Sequence, residues 1–355
     1  MGDADLPREQ HRISHVFNVA MLVFGAGALV WMLFQIGWSE LGAVVASVGS
    51  RFAIVLGLDL AAVLLDAKAL HAFLRPEARM ISYWRVVAAQ VSGRAVNVVT
   101  PFGALGEATK LTMLVTRAPR VRVLSAIVLF NLAGLYLSVA VMLIGTPLTL
   151  LLVDLPHALE VTVAVGLAVL TPLVVLIGAL VRRGALGTLT GLLYRVRLIS
   201  AARRDAWRAR LEKVDHHIAE LHGSGAAGTW RGTLWLVASR LVTWTSTMML
   251  IHAVGVAITP HLVIGVLSVG ALIAWIASVV PFGLGLADGG NYALFGLLGA
   301  PGADGAFVTM LNRARSFAVA LVGFAVMAVV HTENRLALAR LHTRLRNHRE
   351  HAPGG

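Results

Sequence analysis

Residues 123–144 read VLSAIVLFNLAGLYLSVAVMLI, a run with no charged side chain. A hydrocarbon core takes about 20 consecutive apolar residues of helix to cross. No water there can satisfy backbone N–H and C=O groups, so such a run must hydrogen-bond within itself as a helix. A β-barrel strand would be shorter and would alternate in polarity. Working outward, five more apolar stretches have spanning length: Phe17 to Ile36, Ala53 to Leu74, Val161 to Val181, Leu234 to Val254 and Ala306 to Val330. Composition agrees, since 57% of the 355 residues are hydrophobic and 14% charged, against roughly 25% charged in a soluble domain. The expected fold class is an all-α polytopic membrane protein. Its first run is too long for a signal-peptide core and lacks a cleavage site, so it is expected to be retained as a span.

The net charge of +12 is informative through its placement. Arg8 and Arg12 precede the first run; Arg75, Arg79 and Arg85 follow the second; Arg117, Arg120 and Arg122 precede the third. Ten Lys or Arg lie between Arg182 and Arg231, and five follow His331, whereas the opposite side has Arg51 alone. Short loops rich in Lys and Arg stay cytoplasmic, which places both termini in the cytoplasm of a plasma (inner) membrane. The same charges favour anionic inner-leaflet lipids and account for the basicity without a nucleic-acid partner. Trp207, Leu211, Val214, Ile218 and Leu221 share one helical face in the basic loop 182–232, as in a helix lying on the inner surface. The chain has no cysteine, and His216, His217 and His222 lack a matching carboxylate set, so no metal and no cofactor are expected. Single cysteines introduced into this background test the topology. A cysteine at position 154 should react with an impermeant thiol reagent in intact cells and one at position 204 should not; the reverse pattern would invert the protein.

Two stretches do not behave as ordinary spans. Val86 to Thr100 runs into Pro101-Phe102-Gly103-Ala104-Leu105-Gly106-Glu107, and a second short apolar arm ends near Thr116. Arms of about 15 residues reach roughly 22 Å, short of a 30 Å core, so a hairpin entering from the cytoplasm and returning to it is expected. The pattern recurs 180 residues later as Pro281-Phe282-Gly283-Leu284-Gly285-Leu286-Ala287-Asp288, flanked by no Lys or Arg from Gly255 to Leu311; this copy should enter from outside. Asn131 and Asn312 follow the two prolines by 30 and 31 residues. Each half thus reads as two spans, a broken hairpin and a third span. The halves are 1–150 and 151–331, followed by a basic tail at 332–355, and the odd span number inverts one against the other. Six full spans result, or eight if hairpins are counted. This is the pattern of inverted-repeat transporters, in which broken helices meet at mid-depth and expose freed amides to a ligand. Pro101, Gly103, Gly106, Pro281, Gly283 and Gly285 are the expected break residues, because glycine and proline let the chain leave the helix.

Asn97 with the Pro101–Glu107 break, and the second Pro281–Asp288 break, resemble the lysylphosphatidylglycerol synthase transmembrane family over nearly the whole chain. That family's flippase-like domain has an Asn, a Pro-x-x-x-Gly-Glu type break and a second Pro-Gly-x-Gly break ending in an acid. The resemblance implies a bacterial lipid-handling membrane domain. Two departures are visible: Asp288 stands where Glu is usual, and only about 25 residues follow Val330, so the chain is expected to be the transport half without aminoacyl transfer.

Charges within spans are costly and therefore mark site candidates. Glu107 and Asp288 lie just inside the returning arms, suited to substrate contact, coupling or capping of freed amides. Arg94 and Arg313 offer planar forks for phosphate or for pairing with those acids, and Asn97 and Asn312 complete the polar set. Asp59 and Arg240 are candidates for ion or proton coupling, or for pairing with each other. Asp66, Lys68 and Lys110 read as snorkelling side chains. The expected function is transport of a lipid, or of a lipid-linked anionic or polar headgroup, between leaflets, with a homo-oligomer left open. The rival is a membrane-embedded lipid-modifying transferase with Glu107 and Asp288 as acid and base, which no Ser elbow, His–Asp pair or phosphate loop supports; a non-catalytic membrane subunit is a third alternative.

Overall fold

The computed structural model describes residues 38–75, 77–100, 104–115, 117–152, 226–278 and 284–350, with side chains to 333, and scattered positions within 19–34 and 161–179. The described residues are helical, with no strand among them: α1 (Trp38–Val48), α2 (Ser50–Phe73), α3 (Tyr83–Val99), α4 (Ala104–Leu114), α5 (Arg120–Leu152), α6 (Ala226–Ala253), α7 (Pro260–Ala277), α8 (Leu286–Leu297) and α9 (Gly302–Glu350). Among the described residues, four helical stretches are long and apolar enough to cross a membrane: α5, Gly228–Ala253 of α6, α7, and Gly302–Glu333 of α9. A fifth appears when the bent pair α1–α2 is taken as one span. Most of the first apolar run, half of Val161 to Val181, the basic loop and the two Pro-Phe-Gly breaks lie outside the described residues.

Two elements differ from expectation. Residues 38–48, between the first two apolar runs and part of neither, form α1, which meets α2 at 95°. The bend falls at Gly49, whose φ of +61° costs a glycine little and other residues much. Val44 and Val48 are buried against the cluster that α9 helps form, which is why this segment is helical rather than loose. Second, α7 has 18 residues, longer than the hairpin arm expected there, and it contains a π-helical turn at Val266–Gly270.

α2 packs along α6, α3 along α9, and α5 along α7. α2 and α6 run antiparallel, held by Ser239 Oγ donating to Ala62 O at 3.0 Å and Ser246 Oγ to Val55 O at 3.4 Å. Serines can bridge helices in this way because they admit close approach and bring a donor with them. Gly323 on α9 likewise lets Ala95 and the Val91 carbonyl come close. Apolar packing forms two clusters. One gathers Phe52, Val55, Val96, Leu250, Phe295 and Leu311; the other Leu70, Phe73, Val86, Leu114, Ile127 and Leu236. On α2, α3 and α6 the polar residues Asp59, Arg94, Ser239 and Arg240 fall between the segments that feed the two clusters. That places the charges in the middle of the bundle and the hydrocarbon side chains above and below them.

Candidate functional site

Eight ionisable residues among the described residues of the bundle form four pairs. Asp59 is 3% exposed. Its carboxylate receives both Nε and Nη2 of Arg315, and Ser246 Oγ at 2.9 Å. Arg315 also reaches Asn312 Oδ1 at 3.5 Å. Asp66, 2% exposed, is bonded by Arg94. On α4, Lys110 donates to Glu107 at 2.8 Å and lies 5.4 Å from the centroid of the Phe130 ring. Arg313 donates to Asp288 at 2.5 Å. Such pairing is needed because a single charge at the bilayer centre costs at least about 2.5–3.5 kcal/mol.

These partners correct several sequence expectations. Asp59 pairs with Arg315 rather than Arg240, because the α6 side chain that faces it is Ser246. Asp66 does not snorkel: α2 continues past it and packs Ala67, Leu70 and Phe73 into the second cluster, so the carboxylate is enclosed by protein and takes Arg94. Lys110 is also buried. Lys68 is exposed and lies 4.5 Å from the centroid of the Trp235 ring.

The two helix starts that follow the Pro-Phe-Gly stretches, those of α4 and α8, handle their freed amides differently. At the first, Gly106 N–H donates to Asn97 Oδ1 at 2.8 Å, so the α3 amide caps α4 across the break. Glu107 is left to Lys110, with its Oε2 buried and unpartnered. At the second, Gly285 N–H donates to Asp288 Oδ2 at 2.9 Å, the capping role considered for the acids. Gly285 has φ +80°, a conformation suited to glycine. Asp288 therefore serves two donors, its own helix start and Arg313.

A cavity of about 730 Å³ lies between the end of α3, α6, α7, the start of α8, and α9. Thr100, the residue before Pro101, and Ser278, three residues before Pro281, both line it. So do Asn97, Arg240, Asn312 and Arg313, together with Trp244 and Trp275. No carboxylate is present among the described lining residues. The structure thus gathers Asn97, Arg240, Asn312 and Arg313 around one space, with Asp288 reached through Arg313. Arg94 and Glu107 do not line the cavity, and Asn131, the counterpart of Asn312, is exposed. Pro101, Gly103, Pro281 and Gly283 lie outside the described residues. Asp66 and the two tryptophans were missed from sequence. Asp59 and Asp66 are seven residues apart on α2, as are Ser239 and Ser246 on α6; that spacing puts each pair on one helix face and was the available signal.

The family model described as the lysylphosphatidylglycerol synthase TM region matches residues 18–323, and the chain belongs to that family. Comparison with the curated proteins and with the solved structures returned no match.

Proposed function

We propose that this member of the lysylphosphatidylglycerol synthase transmembrane family moves a lipid, or a lipid-linked polar headgroup, between the leaflets of a plasma membrane. The observation that carries it is a cavity lined by described residues shortly before both Pro-Phe-Gly stretches, Thr100 and Ser278, together with Asn97, Asn312 and Arg313. A volume of about 730 Å³ falls within the usual range of small-molecule sites. Hydroxyl, amide and guanidinium groups together with two tryptophans on its lining suit a headgroup with acyl chains attached. In this reading residues 1–150 and 151–331 are the two inverted halves and both termini are cytoplasmic. The packing of α3 on α9 and of α5 on α7 supports it, because each hairpin's first arm then lies against the last span of the opposite half.

The test is exchange of an acyl-labelled fluorescent phospholipid in vesicles reconstituted with the full chain, read by quenching from outside. Wild-type protein should accelerate exchange over protein-free vesicles. Asn312→Leu and Arg313→Gln should each slow it about tenfold, the ratio that ~1.4 kcal/mol of lost interaction represents. Folded, correctly inserted protein that leaves exchange at the protein-free rate would refute the proposal.

A further inference from the structure

Arg240 stands apart from the other interior charges. It is the fifteenth of the 28 residues of α6, close to the middle of a helix that is long enough to cross the membrane. Arg315, Arg94, Lys110 and Arg313 each have a carboxylate partner. Arg240 has none within ion-pair distance among the described residues, and its Nε is buried with no acceptor. The charges that act on it are Asp66, already bonded by Arg94, and Arg94 itself. Asp66, Arg94 and Arg240 together carry one uncompensated positive charge, and of the three only Arg240 lines the cavity. Arg313, the other cation on that wall, is neutralised by Asp288.

We propose that Arg240 is the charge-selecting residue of the cavity, binding the single negative charge of a phosphate diester or similar oxyanion ester, with Asp66 and Arg94 positioning it. A guanidinium left unpaired at mid-depth is expensive, and an arriving oxyanion supplies the missing countercharge in the planar, two-point geometry that arginine favours. Arg94 on Asp66 keeps that carboxylate from closing on Arg240 when no ligand is present. Around the anchor, Thr243 and Thr247 lie on the same helix, one and two turns further along, and their hydroxyls donate to the backbone carbonyls of Ser239 and Thr243. The walls formed by Trp244, Trp275 and Leu267 favour an ester with apolar substituents over a free ion. This inference rests on the cavity being the transported lipid's site, and it replaces the coupling role first expected of Arg240.

Two measurements on the full chain decide it. In reconstituted vesicles, exchange is followed for acyl-labelled phosphatidylglycerol and for an acyl-labelled uncharged diacylglycerol glucoside. Arg240→Gln should lower the ratio of anionic to uncharged exchange at least about tenfold, and Arg240→Lys, which keeps the charge but not the fork, should fall between. In detergent, short-chain phosphatidylglycerol should raise the melting temperature of the wild type and not of Arg240→Gln, while the unliganded variant melts no lower than the wild type because a lone buried charge has been removed. Glycerol phosphate stabilising the wild type as strongly, with no lipid exchange, would assign Arg240 to a soluble phosphate ester and refute lipid movement alone. An unchanged exchange ratio in Arg240→Gln, or equal stabilisation of variant and wild type by both esters, would overturn the assignment whether or not lipid moves.

Discussion

Asp59→Leu is expected to cost about 3–5 kcal/mol of stability, the usual penalty for removing one partner of a buried ion pair. Arg315 would keep its charge in the bundle with only the 3.5 Å contact to Asn312 remaining. Arg315→Leu should be about as damaging, because Asp59 would retain only Ser246 as a side-chain donor. Joint replacement, Asp59→Leu with Arg315→Leu, should recover most of the loss, since the desolvation cost of both charges disappears with their attraction. The pair joins α2 to α9 across 256 residues of sequence, so the single variants should also loosen α2 from α9. A double-mutant cycle by thermal unfolding in detergent reads this directly. Single losses that simply add in the double variant would mean that the two groups do not interact in the folded protein.

Fold class was legible because it depends on local sequence alone: a run such as 123–144 has no other structure available inside a bilayer. The helix ends around the two Pro-Phe-Gly stretches were legible for a related reason, since proline and glycine are a local signal: α3 stops at Val99 and α4 starts at Ala104, and α7 stops at Ala277 before α8 starts at Leu286. Partner choice among the charges was not. Arg94 and Asp66 are 28 residues apart and Arg315 and Asp59 are 256 apart, so which acid meets which guanidinium is set by how α2, α3 and α9 stack, which no single helix encodes. Asp66 was misread because its nearness to the cytoplasmic end of the apolar run suggests the membrane surface, whereas burial of Ala67, Ala69, Leu70 and Phe73 against α3 and α6 keeps that side of α2 inside the protein. The same limit hid α1, a short helix that exists by virtue of what Val44 and Val48 pack against. The pairing of Asp288 with Arg313 was among the sequence alternatives, and there the 25-residue separation spans two consecutive helices whose packing is nearly obligatory.

The two breaks, alike in sequence, divide their tasks in structure. The second uses its own acid as cap and ties that acid to α9. The first borrows Asn97 from the incoming arm, so the returning helix is hydrogen-bonded to a residue that also faces the cavity. A displacement of α4 would therefore be felt at the cavity wall, which makes the contact between α3 and α4 the point where hairpin geometry and ligand geometry meet.

Gly106→Ala should expose that link. A Cβ at position 106 would lie 2.1 Å from Asn97 Oδ1 and 2.1 Å from the Gly93 carbonyl oxygen, where ordinary contact begins at 3.4 Å. The arms would have to part by about 1 Å or more. The approach is close from both sides, since a Cβ at position 93 would likewise meet Lys110 and the Gly106 carbonyl. Parting breaks the 2.8 Å bond from Gly106 N–H to Asn97 and turns Asn97 away from its present place on the cavity wall. Overpacking costs about 1–3 kcal/mol and an orphaned buried amide about 1–3 more, so the melting temperature in detergent should fall and lipid exchange in vesicles should fall further than stability alone explains. Gly296→Ala on α8 is the matched comparison: nothing lies within 4 Å of its Cβ position, and alanine favours a helix over glycine by up to about 1 kcal/mol, so it should be neutral or stabilising. If Gly106→Ala proved as stable and as active as Gly296→Ala, the close contact between the arms, and with it the coupling of the first break to the cavity, would have to be abandoned.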